Sequence, residues 1–310
     1  MKKIIAIQSN ALKTINPLTD TSLQLAIEAQ KRGFKVFWYE ADNLSITNSK
    51  LQAQGHLVYF FEGKGKKNFF KINKKIKFNI SKADFTLIRQ NPPFDMNYIN
   101  STYFLDNIDQ KKVINNPSAI RNVSEKFYSS RYLRFMPPTI FSNSINDIHK
   151  HYKKYKKIVI KPLDGYAVKN ILFLTKKFSK SKVSLFLKKY NYLMVQKYLN
   201  KVKFGDKRVF IIKGKVKGAI KRVPRAGSNL SNISQGGTAF KTVLNKKELK
   251  ISSIIGKSLL KDKIYFAGID LIDGYLIGDI NVPSPTGLPQ FKDLTGKNLA
   301  KDFWDGLGLK

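Results

Sequence analysis

The sequence predicts two parts, an open α/β domain over residues 1–120 followed by an α+β region over residues 121–310. Strand and helix signals alternate in the first part, which is typical of a partly parallel sheet with crossover helices. In the second part strands follow one another with only a few helices between them, which indicates antiparallel sheets. A length of 310 residues is enough for two or three hydrophobic cores.

The first part opens on a short apolar strand at about residues 3–8. Asp20 is placed to cap a helix whose apolar face includes Leu23 and Ala26, and Gly33 is placed to end that helix. Further strands are expected at residues 35–39, 57–61, 84–89 and 112–115.

The second part carries more strands than helices. Strands are expected at residues 158–163, 170–175, 192–196, 207–213, 215–223, 264–271 and 275–282. Helices are expected at residues 144–156, 179–190, 246–260 and 296–306. This order predicts antiparallel sheets that hold a ligand between them.

The composition rules out several classes of protein. The chain is 42% hydrophobic and 12% aromatic, as a globular protein is, and has no Cys. It therefore has no disulfide, thiolate metal site or cysteine nucleophile. No apolar run approaches the roughly 20 residues of a membrane helix, so we expect a cytoplasmic protein without a membrane partner.

The net charge is +36. Such a charge is typical of nucleic-acid-binding proteins, but the lysines run through the whole chain rather than forming one block. Two interpretations stay open, namely a compositional drift of the whole chain and a surface that binds a polyanion. We expect no nucleic-acid partner.

Common nucleotide and metal motifs are absent from the sequence. No G-x-x-x-x-G-K-[ST] occurs, so this is not a P-loop protein. The glycines and lysines at residues 63–66 have the wrong spacing and predict a hairpin turn. His56, His149 and His151 do not have metal-ligand spacing.

Lys161 stands at the end of an apolar strand, directly before Pro162 and a turn. One interpretation is an ordinary edge-strand lysine. The other places its ammonium on a nucleotide phosphate, with the following loop closing over it. The local sequence does not choose between the two.

Acidic and amide side chains recur on two predicted strands near the end of the chain. Asp279 and Asn281 are two residues apart and so point to one face, and Asp270 lies on the preceding strand and can face them. Carboxylate and amide oxygens are ligands that Mg²⁺ accepts. These residues either hold a metal or cap the turns at the strand ends.

An ordered set of short segments resembles the prokaryotic glutathione synthetase family. The segments are RQNPPFD at 89–95, Tyr103, NP at 116–117, EK at 125–126, KPLDG at 161–165, GDKRV at 205–209, GG at 236–237 and NVPSPTG at 281–287. The similarity runs nearly end to end, and the closing NVPSPTG segment is the most specific.

The resemblance implies an ATP-grasp fold preceded by a Rossmann-like α/β domain, and an ATP-dependent ligase that joins γ-glutamylcysteine to glycine. ATP would phosphorylate the accepting carboxylate, glycine would attack the acyl phosphate, and phosphate would leave. The resemblance implies that Lys126 and Lys161 bind the phosphates of ATP, and that adenine is bound by Gln196, Lys197, Tyr198 and Leu199, with Asp206 nearby. It implies that magnesium is bound by Asp270, Asp279 and Asn281. It also implies that Arg208 and Arg222 stabilise charge at the reacting carboxyl and phosphoryl groups. The resemblance also implies Mg²⁺, with Mn²⁺ as an alternative, and we expect a homo-oligomer.

Some positions depart from the family pattern. The loop that should cover the phosphates has Ala167 and Val168 where the family has a glycine pair, and the spacing from Asp270 to Asp279 is one residue longer. Losing glycine restricts the backbone and moves its N–H groups away from phosphate. We therefore expect Lys169 to supply part of the phosphate contact as a point charge.

Two other functions stay open. One is a ligase of the same fold that joins a different peptide-like acid to a different amine, because the loops are altered. The other is a nucleotide-binding protein without ligase activity, whose basic surface binds a polyanion. ADP formation that depends on a dipeptide would argue against the second.

Overall fold

A computed structural model describes residues 3–63, 68–163, 171–225 and 236–309, and places three β-sheets there. The first sheet belongs to the N-terminal part, and the other two form the walls of a cleft in the C-terminal part. In the described residues no helix has the length and apolar content that crossing a membrane requires.

The N-terminal sheet contains strands β1 Ile4–Gln8, β2 Lys35–Thr47, β3 Lys50–Phe60, β4 Phe70–Asn79, β5 Phe85–Ile88 and β6 Val113–Ile114. Their order is β4-β3-β2-β1-β5-β6. β1 pairs in parallel with β2 and β5, and β5 with β6. β3 and β4 are antiparallel additions. The predicted partly parallel open sheet is confirmed.

Helices connect these strands. They are α1 Thr21–Lys31, α2 Met96–Leu105 and α3 Pro117–Asn122. The Asp20 carboxylate caps α1 by accepting a hydrogen bond from the N–H of Leu23, as expected, and Gly33 follows the helix with φ +80°. Residues 12–14, 80–82 and 110–112 form 3₁₀ turns.

The prediction was wrong about one region of this sheet. β2 continues to Thr47 instead of ending near residue 39, and β4 was not predicted. β4 is mostly exposed. Its Phe70, Ile72, Ile76 and Phe78 alternate with polar residues, which indicates a strand, but Lys74 interrupts the pattern and the prediction overlooked it. Lys71 and Lys75 are exposed on it, and lysines on an edge strand discourage pairing with another chain.

The second sheet contains β7 Thr139–Ser142, β8 Ile158–Pro162, β9 Leu172–Leu174 and β10 Leu193–Lys197 in the order β7-β10-β8-β9. All its pairs are antiparallel. Helices α4 Ile145–Tyr155 and α5 Lys180–Tyr190 accompany it, and their Ile148 and Val183 share a core with the sheet. β7 was not predicted. A 3₁₀ segment over Phe127–Phe135 precedes this sheet and another over Asn200–Phe204 follows it.

The third sheet contains β11 Asp206–Ile212, β12 Lys215–Val223, β13 Thr238–Lys241, β14 Phe266–Ile272 and β15 Tyr275–Asn281. It is antiparallel, with the order β13-β12-β11-β14-β15. Helices α6 Lys246–Lys261, α7 Leu288–Thr295 and α8 Leu299–Gly306 complete the described chain. β13 and α7 were not predicted.

The N-terminal sheet and the third sheet are joined by a buried side chain. Asn115 follows β6, and its amide oxygen accepts hydrogen bonds from the N–H groups of Tyr265 and Phe266 at 2.9 and 2.8 Å. Its amide nitrogen donates to the carbonyls of Phe266 and Val282 at 2.8 and 3.0 Å. One side chain therefore satisfies four backbone groups at the junction.

The C-terminal helices pack back onto the N-terminal part. The indole N–H of Trp304 on α8 donates to the carbonyl of Leu25 on α1 at 3.0 Å. One hydrophobic core contains both Leu25 and Trp304, together with Phe210 of the third sheet. The two predicted parts thus share a core.

Candidate active site between the second and third sheets

Three charged side chains that lie far apart in the sequence meet between the second and third sheets. The Lys161 ammonium on β8 donates to the Asp279 carboxylate and to the carbonyl of Ile277 on β15, both at 2.9 Å. The Lys126 ammonium lies 3.7 Å from the other Asp279 oxygen and 3.3 Å from the Glu125 carboxylate. Two residues expected to bind phosphate thus converge on one expected to bind metal.

Burial and charge compete at this cluster. Burial alone would lower the pKa of the Lys126 ammonium, but the carboxylates of Glu125 and Asp279 outweigh it, so that this pKa is raised. Burial raises the pKa of the Glu125 carboxyl, and the nearby Asp279 charge adds to this, while Lys126 opposes it. The Lys126 side chain therefore remains an ammonium ion near neutral pH and can neutralise phosphate.

A second buried cluster lies on the third sheet, and we call Asp206, Arg208, Arg222 and Asp270 the arginine–aspartate quartet. Arg222 donates from Nε and Nη2 to the two Asp206 oxygens at 2.7 and 2.6 Å. Arg208 donates in the same two-pronged way to Asp270 at 2.5 and 3.0 Å. Arg222 Nη2 also lies 3.0 Å from Asp270.

Strand register builds this quartet. Asp206 is directly opposite Arg222 on β12, and Arg208, two residues along β11 on the same face, is directly opposite Asp270 on β14. Each side chain is only 5–6% exposed, so the charges must cancel within the group. The two arginines outweigh the burial that would raise the pKa of Asp270 and hold it at about 2. The two carboxylates likewise raise the pKa of Arg222 against its burial.

The expected magnesium ligands are neighbours but are not equivalent. The Asn281 amide lies 3.4 Å from Asp270, and Asp279 and Asn281 share a face of β15. Both Asp270 oxygens already accept hydrogen bonds from arginine, whereas Asp279 is paired with the two lysines. In the described residues no three His, Cys, Asp or Glu side chains form a metal site by themselves.

The chemistry of these donors nevertheless fits Mg²⁺ brought in on ATP. Mg²⁺ usually takes only one or two carboxylates from a protein and fills its remaining positions with phosphate oxygens and water. Asp279 and the Asn281 amide supply oxygen donors at the cleft wall. Asp270 could join them only by giving up a hydrogen bond from Arg208 or Arg222.

The long spacing between Asp270 and Asp279 is absorbed by a β-bulge. Ile269 pairs with Ile280, but Leu271 pairs with Leu276, so three residues of β15 face one residue of β14. Gly278 lies in this bulge with φ +90°, where a Cβ would come within 2.7 Å of the Met194 sulfur. The bulge leaves Asp279 and Asn281 on a common face.

The segment expected to contact adenine connects the second and third sheets, as a hinge would. Gln196 is buried, and its amide nitrogen donates to Thr139 Oγ1 at 3.1 Å. The N–H groups of Lys197 and Tyr198 donate to the carbonyls of Pro138 and Lys157, both at 2.9 Å. These two N–H groups hold the segment in place, and Leu199 begins the turn that leads to β11.

Two expectations fall on residues outside the described part of the chain. Lys169 lies in the undescribed range 164–170, as does the loop that should cover the phosphates. A second mobile loop is expected over residues 224–232, and all but its first two residues lie in the undescribed range 226–235. At its base, Arg225 Nε donates to the carbonyl of Gly236 at 3.2 Å.

Sequence reasoning missed a third group of residues. The Arg89 guanidinium is buried and donates to the Pro285 carbonyl at 2.9 Å and to Ser22 Oγ at 3.1 Å. Ser284 donates to the Gln90 carbonyl at 2.7 Å. Burial lowers the pKa of Arg89 to about 10. The RQNPPFD and NVPSPTG segments, both noted in the sequence, therefore meet in space.

Glu125 was also missed. It was noted only as part of the EK segment, yet its carboxylate contacts Lys126 and its carbonyl accepts a hydrogen bond from the N–H of Ile280 at 3.0 Å. That backbone bond ties the segment carrying Lys126 to the strand carrying Asp279. An acidic residue directly before an expected phosphate-binding lysine was the available signal.

Comparisons with known protein sequences show which family the chain resembles. Residues 3–121 match the profile of the N-terminal domain of prokaryotic glutathione synthetase, and residues 125–296 match that of its ATP-grasp domain. The chain is 36% identical over 318 residues to glutathione synthetase from Mesorhizobium japonicum, covering 99% of this chain and 98% of that one. It is 34% identical over 315 residues to glutathione synthetase from Bradyrhizobium diazoefficiens, covering 100% and 99%.

Solved structures support the fold. A RiPP-associated ATP-grasp ligase from Chryseobacterium gregarium, in complex with ADP and a leader and core peptide, aligns with a TM-score of 0.65 at 18% identity, covering 99% of this chain and 97% of that one. D-alanyl-alanine synthetase A from Vibrio cholerae aligns with a TM-score of 0.61 at 14% identity, covering 99% and 98%. The ATP-grasp fold predicted from the sequence is confirmed.

Proposed function

Because the chain belongs to the prokaryotic glutathione synthetase family, we propose that this ATP- and Mg²⁺-dependent ligase joins γ-glutamylcysteine and glycine to give glutathione, ADP and phosphate. The observation that carries the proposal is the convergence of Lys126, Lys161 and Asp279 beside the arginine–aspartate quartet. Such a site supplies ammonium and guanidinium groups without a side-chain nucleophile, which is what phosphoryl transfer to a carboxylate needs.

The reaction takes place in two steps. A carboxylate oxygen of γ-glutamylcysteine attacks the γ-phosphorus of ATP, the bond to the β-phosphate oxygen breaks, and ADP leaves with that electron pair. The glycine amine then attacks the acyl carbon of the acyl phosphate and loses a proton, and inorganic phosphate leaves as the amide forms. Both steps concentrate negative charge on oxygen atoms.

The lysines act in the first step. Lys126 and Lys161 now neutralise Asp279, and on ATP binding they turn to the phosphate oxygens. Asp279 and the Asn281 amide would hold the nucleotide's Mg²⁺, which would screen the phosphate charge. Lys169 is proposed to add a further charge from the loop outside the described residues.

The arginines act on the acyl group. Arg208 and Arg222 are buried beside the expected metal ligands, where a guanidinium stabilises charge more strongly than it would in water. They stabilise the transferring phosphoryl group and the oxyanion that forms when glycine attacks. Residues 1–120 are proposed to bind the dipeptide, and residues 121–310 to bind ATP through the segment from Gln196 to Leu199.

A product assay tests the proposal. ATP, Mg²⁺ and γ-glutamylcysteine are incubated with a panel of amines, while phosphate release and glutathione are measured by colorimetry and mass spectrometry. Release that requires both the dipeptide and glycine is expected. Release with a different acid or amine would favour the alternative ligase, and the absence of any acid-dependent release would contradict ligase activity.

Two further properties are proposed. The reaction is placed in the cytoplasm because ATP is made and held there, and fractionation of the source cells tests this. A homo-oligomer is proposed from the family resemblance alone, and sedimentation equilibrium of the full chain measures the oligomeric state in solution. A single monomeric species across a hundredfold range of concentration would contradict it.

A further inference from the structure

The lobe built on the second sheet holds a large share of the positive charge of the chain. From the first residue of β7 to the end of the 3₁₀ segment at Phe204, residues 139–204 contain 16 Lys and two Asp, with neither Arg nor Glu. Fourteen of the 36 net positive charges therefore lie in 66 of the 310 residues. The expectation of no nucleic-acid partner rested on lysines that run through the whole chain, but the acidic residues are not spread in the same way.

The lysines of α4 and α5 lie on the side of this lobe that faces away from the cleft. Ile148 of α4 and Val183 of α5 pack with Ile158 and Ile160 of β8, whereas Lys161, the next residue of β8, points into the cleft. Alternate residues of a strand point to opposite faces, so both helices cover the face away from the cleft. We give the name lysine face to six exposed residues of these helices, namely Lys150, Lys153, Lys154, Lys182, Lys188 and Lys189.

The described part of the lobe offers the lysine face no carboxylate partner. Asp147 is the one acidic residue described there, and its carboxylate accepts a hydrogen bond from Ser142 Oγ at 3.1 Å. Among the described residues, the lysines of this lobe that form salt bridges are Lys161 with Asp279 and Lys201 with Asp273. Neither lysine belongs to the lysine face, so its positive charges are not balanced by the protein around them.

Helix electrostatics favour some of these lysines and disfavour others. The last turns of both helices carry lysines, where the helix dipole favours cations. Lys150, however, lies one turn before Lys154 on α4, so that the two like charges repel each other. Lys182 lies in the first turn of α5 together with Lys180 and without an acidic residue, at the end of the dipole that disfavours cations. A bound polyanion would supply the compensating charge.

We infer that the lysine face is a docking surface for the phosphate backbone of a nucleic-acid duplex, a binding function separate from the ligase reaction and independent of it. Each helix has 11 residues, which is about 16 Å, and over that length a duplex carries on the order of ten negative charges. Lysine binds phosphate as a point charge and lacks the planar fork with which arginine reads a base. Binding is therefore independent of base sequence and sensitive to salt.

The packing of the two helices favours a nucleic acid over a membrane. A helix that lies in a membrane interface buries its apolar face among the lipids. The apolar faces of α4 and α5 are instead buried against the second sheet. Leu185, which is 67% exposed, is the one large exposed apolar residue of these two helices. The lysine face therefore offers charge without the apolar surface that a membrane would take up.

The test measures how the affinity for DNA depends on salt. A fluorescein-labelled duplex of arbitrary sequence is titrated with the full chain at KCl concentrations from about 50 to 200 mM, and anisotropy reports binding. The native chain is expected to bind with a Kd of roughly 10⁻⁶–10⁻⁴ M near physiological salt, and the logarithm of its affinity should fall linearly with the logarithm of the KCl concentration. Changing Lys150, Lys154, Lys182 and Lys189 together to Gln should reduce that slope by about 3 to 4 and weaken binding about tenfold or more.

The matched control removes four lysines from α6, whose Ile251 and Ile255 pack with the third sheet. Lys246, Lys250, Lys257 and Lys261 are also exposed, so changing all four to Gln lowers the net charge by the same amount. Its DNA affinity is expected to stay within about twofold of the native value, because these lysines make no phosphate contact. Gln has nearly the helix propensity of Lys, and far-UV circular dichroism checks that both variants are folded.

Three results would overturn the inference. Equal losses of DNA affinity in the two variants would mean that the net charge of the whole chain attracts the duplex, and not the lysine face. A native chain that shows no salt-dependent binding of the duplex would mean that the lysine face is simply solvated. Binding to vesicles of phosphatidylcholine and phosphatidylglycerol that the α4–α5 variant loses, without binding of the duplex, would identify an anionic membrane as the partner.

Discussion

Lys161 on β8 and Asp279 on β15 meet at 2.9 Å across the cleft between the second and third sheets, although 118 residues separate them in sequence. This pair joins an expected phosphate ligand to an expected metal ligand. Each charge neutralises the other in this pair, so binding of ATP and Mg²⁺ here would replace one ion pair with two new ones. The roles of individual site residues follow from this exchange and can be tested.

Lys161→Ala is expected to weaken ATP binding by about 1.5–3 kcal/mol, the range for a hydrogen bond to a charged group. Calorimetric titration with ATP and Mg²⁺ measures this. Lys201→Ala is the control, because Lys201 also pairs with an Asp, Asp273, but on the surface with 62% of its side chain exposed. Equal ATP affinity in the Lys161 and Lys201 variants would contradict phosphate binding by Lys161.

Asp279→Ala and Asn281→Ala are expected to abolish Mg²⁺-dependent turnover while leaving the fold intact, because both side chains lie at the cleft wall. Initial rates over a series of Mg²⁺ concentrations measure the first effect, and far-UV circular dichroism checks the second. Native rates in both variants would rule out these two residues as metal ligands.

Asn115→Ala is expected to destabilise the protein by about 3 kcal/mol or more, because it leaves several buried backbone groups unsatisfied. Urea unfolding measures the change in the free energy of unfolding. Asn107→Ala is the control, since the exposed Asn107 amide also donates to two backbone carbonyls, at 3.2 and 3.1 Å. Similar losses in the two variants would mean that Asn115 does not join the two parts.

Gly205→Ala is expected to cost more stability than Gly33→Ala, although both glycines have positive φ, +91° and +80°. A Cβ at Gly33 meets nothing within 4 Å, so that variant pays only the conformational cost of about 1–2 kcal/mol. At Gly205 the Cβ also collides with the Arg222 carbonyl, and kcat should fall as Arg222 is displaced. Thermal unfolding and turnover of both variants are compared, and equal behaviour would show that the close approach is unimportant.

Lys169→Ala is expected to weaken ATP binding by about 1–3 kcal/mol, as the loss of a charged hydrogen bond does. Placing glycine at both 167 and 168 should lower the KM for ATP or raise kcat, since glycine lets backbone N–H groups approach phosphate. Steady-state kinetics with varied ATP measure both. Unchanged affinity and turnover in Lys169→Ala would end the idea that Lys169 compensates for the missing glycines.

The strands and the faces of their side chains were largely determined by the sequence alone. The strand signal ending at Lys161 and the two-residue spacing of Asp279 and Asn281 need only local periodicity, and the structure has both features. The segments that resemble the family predicted the ATP-grasp fold, because motifs kept in order along a whole chain specify a shared architecture. The alternation of Phe70, Ile72, Ile76 and Phe78 in β4 was a signal of the same kind, interrupted at Lys74, and the prediction overlooked it.

The tertiary structure alone decided which charges pair. Asp270, expected on a metal, and Asp206, expected near adenine, each accept two hydrogen bonds from an arginine, and the sequence did not predict these pairs. Arg208 and Asp270 are 62 residues apart in the sequence, and they meet because the register of β11 with β14 places them opposite each other. Local periodicity tells which face a side chain takes but not which residue of a distant strand lies opposite it. That choice is made by strand register, and here by the requirement that charges buried together cancel.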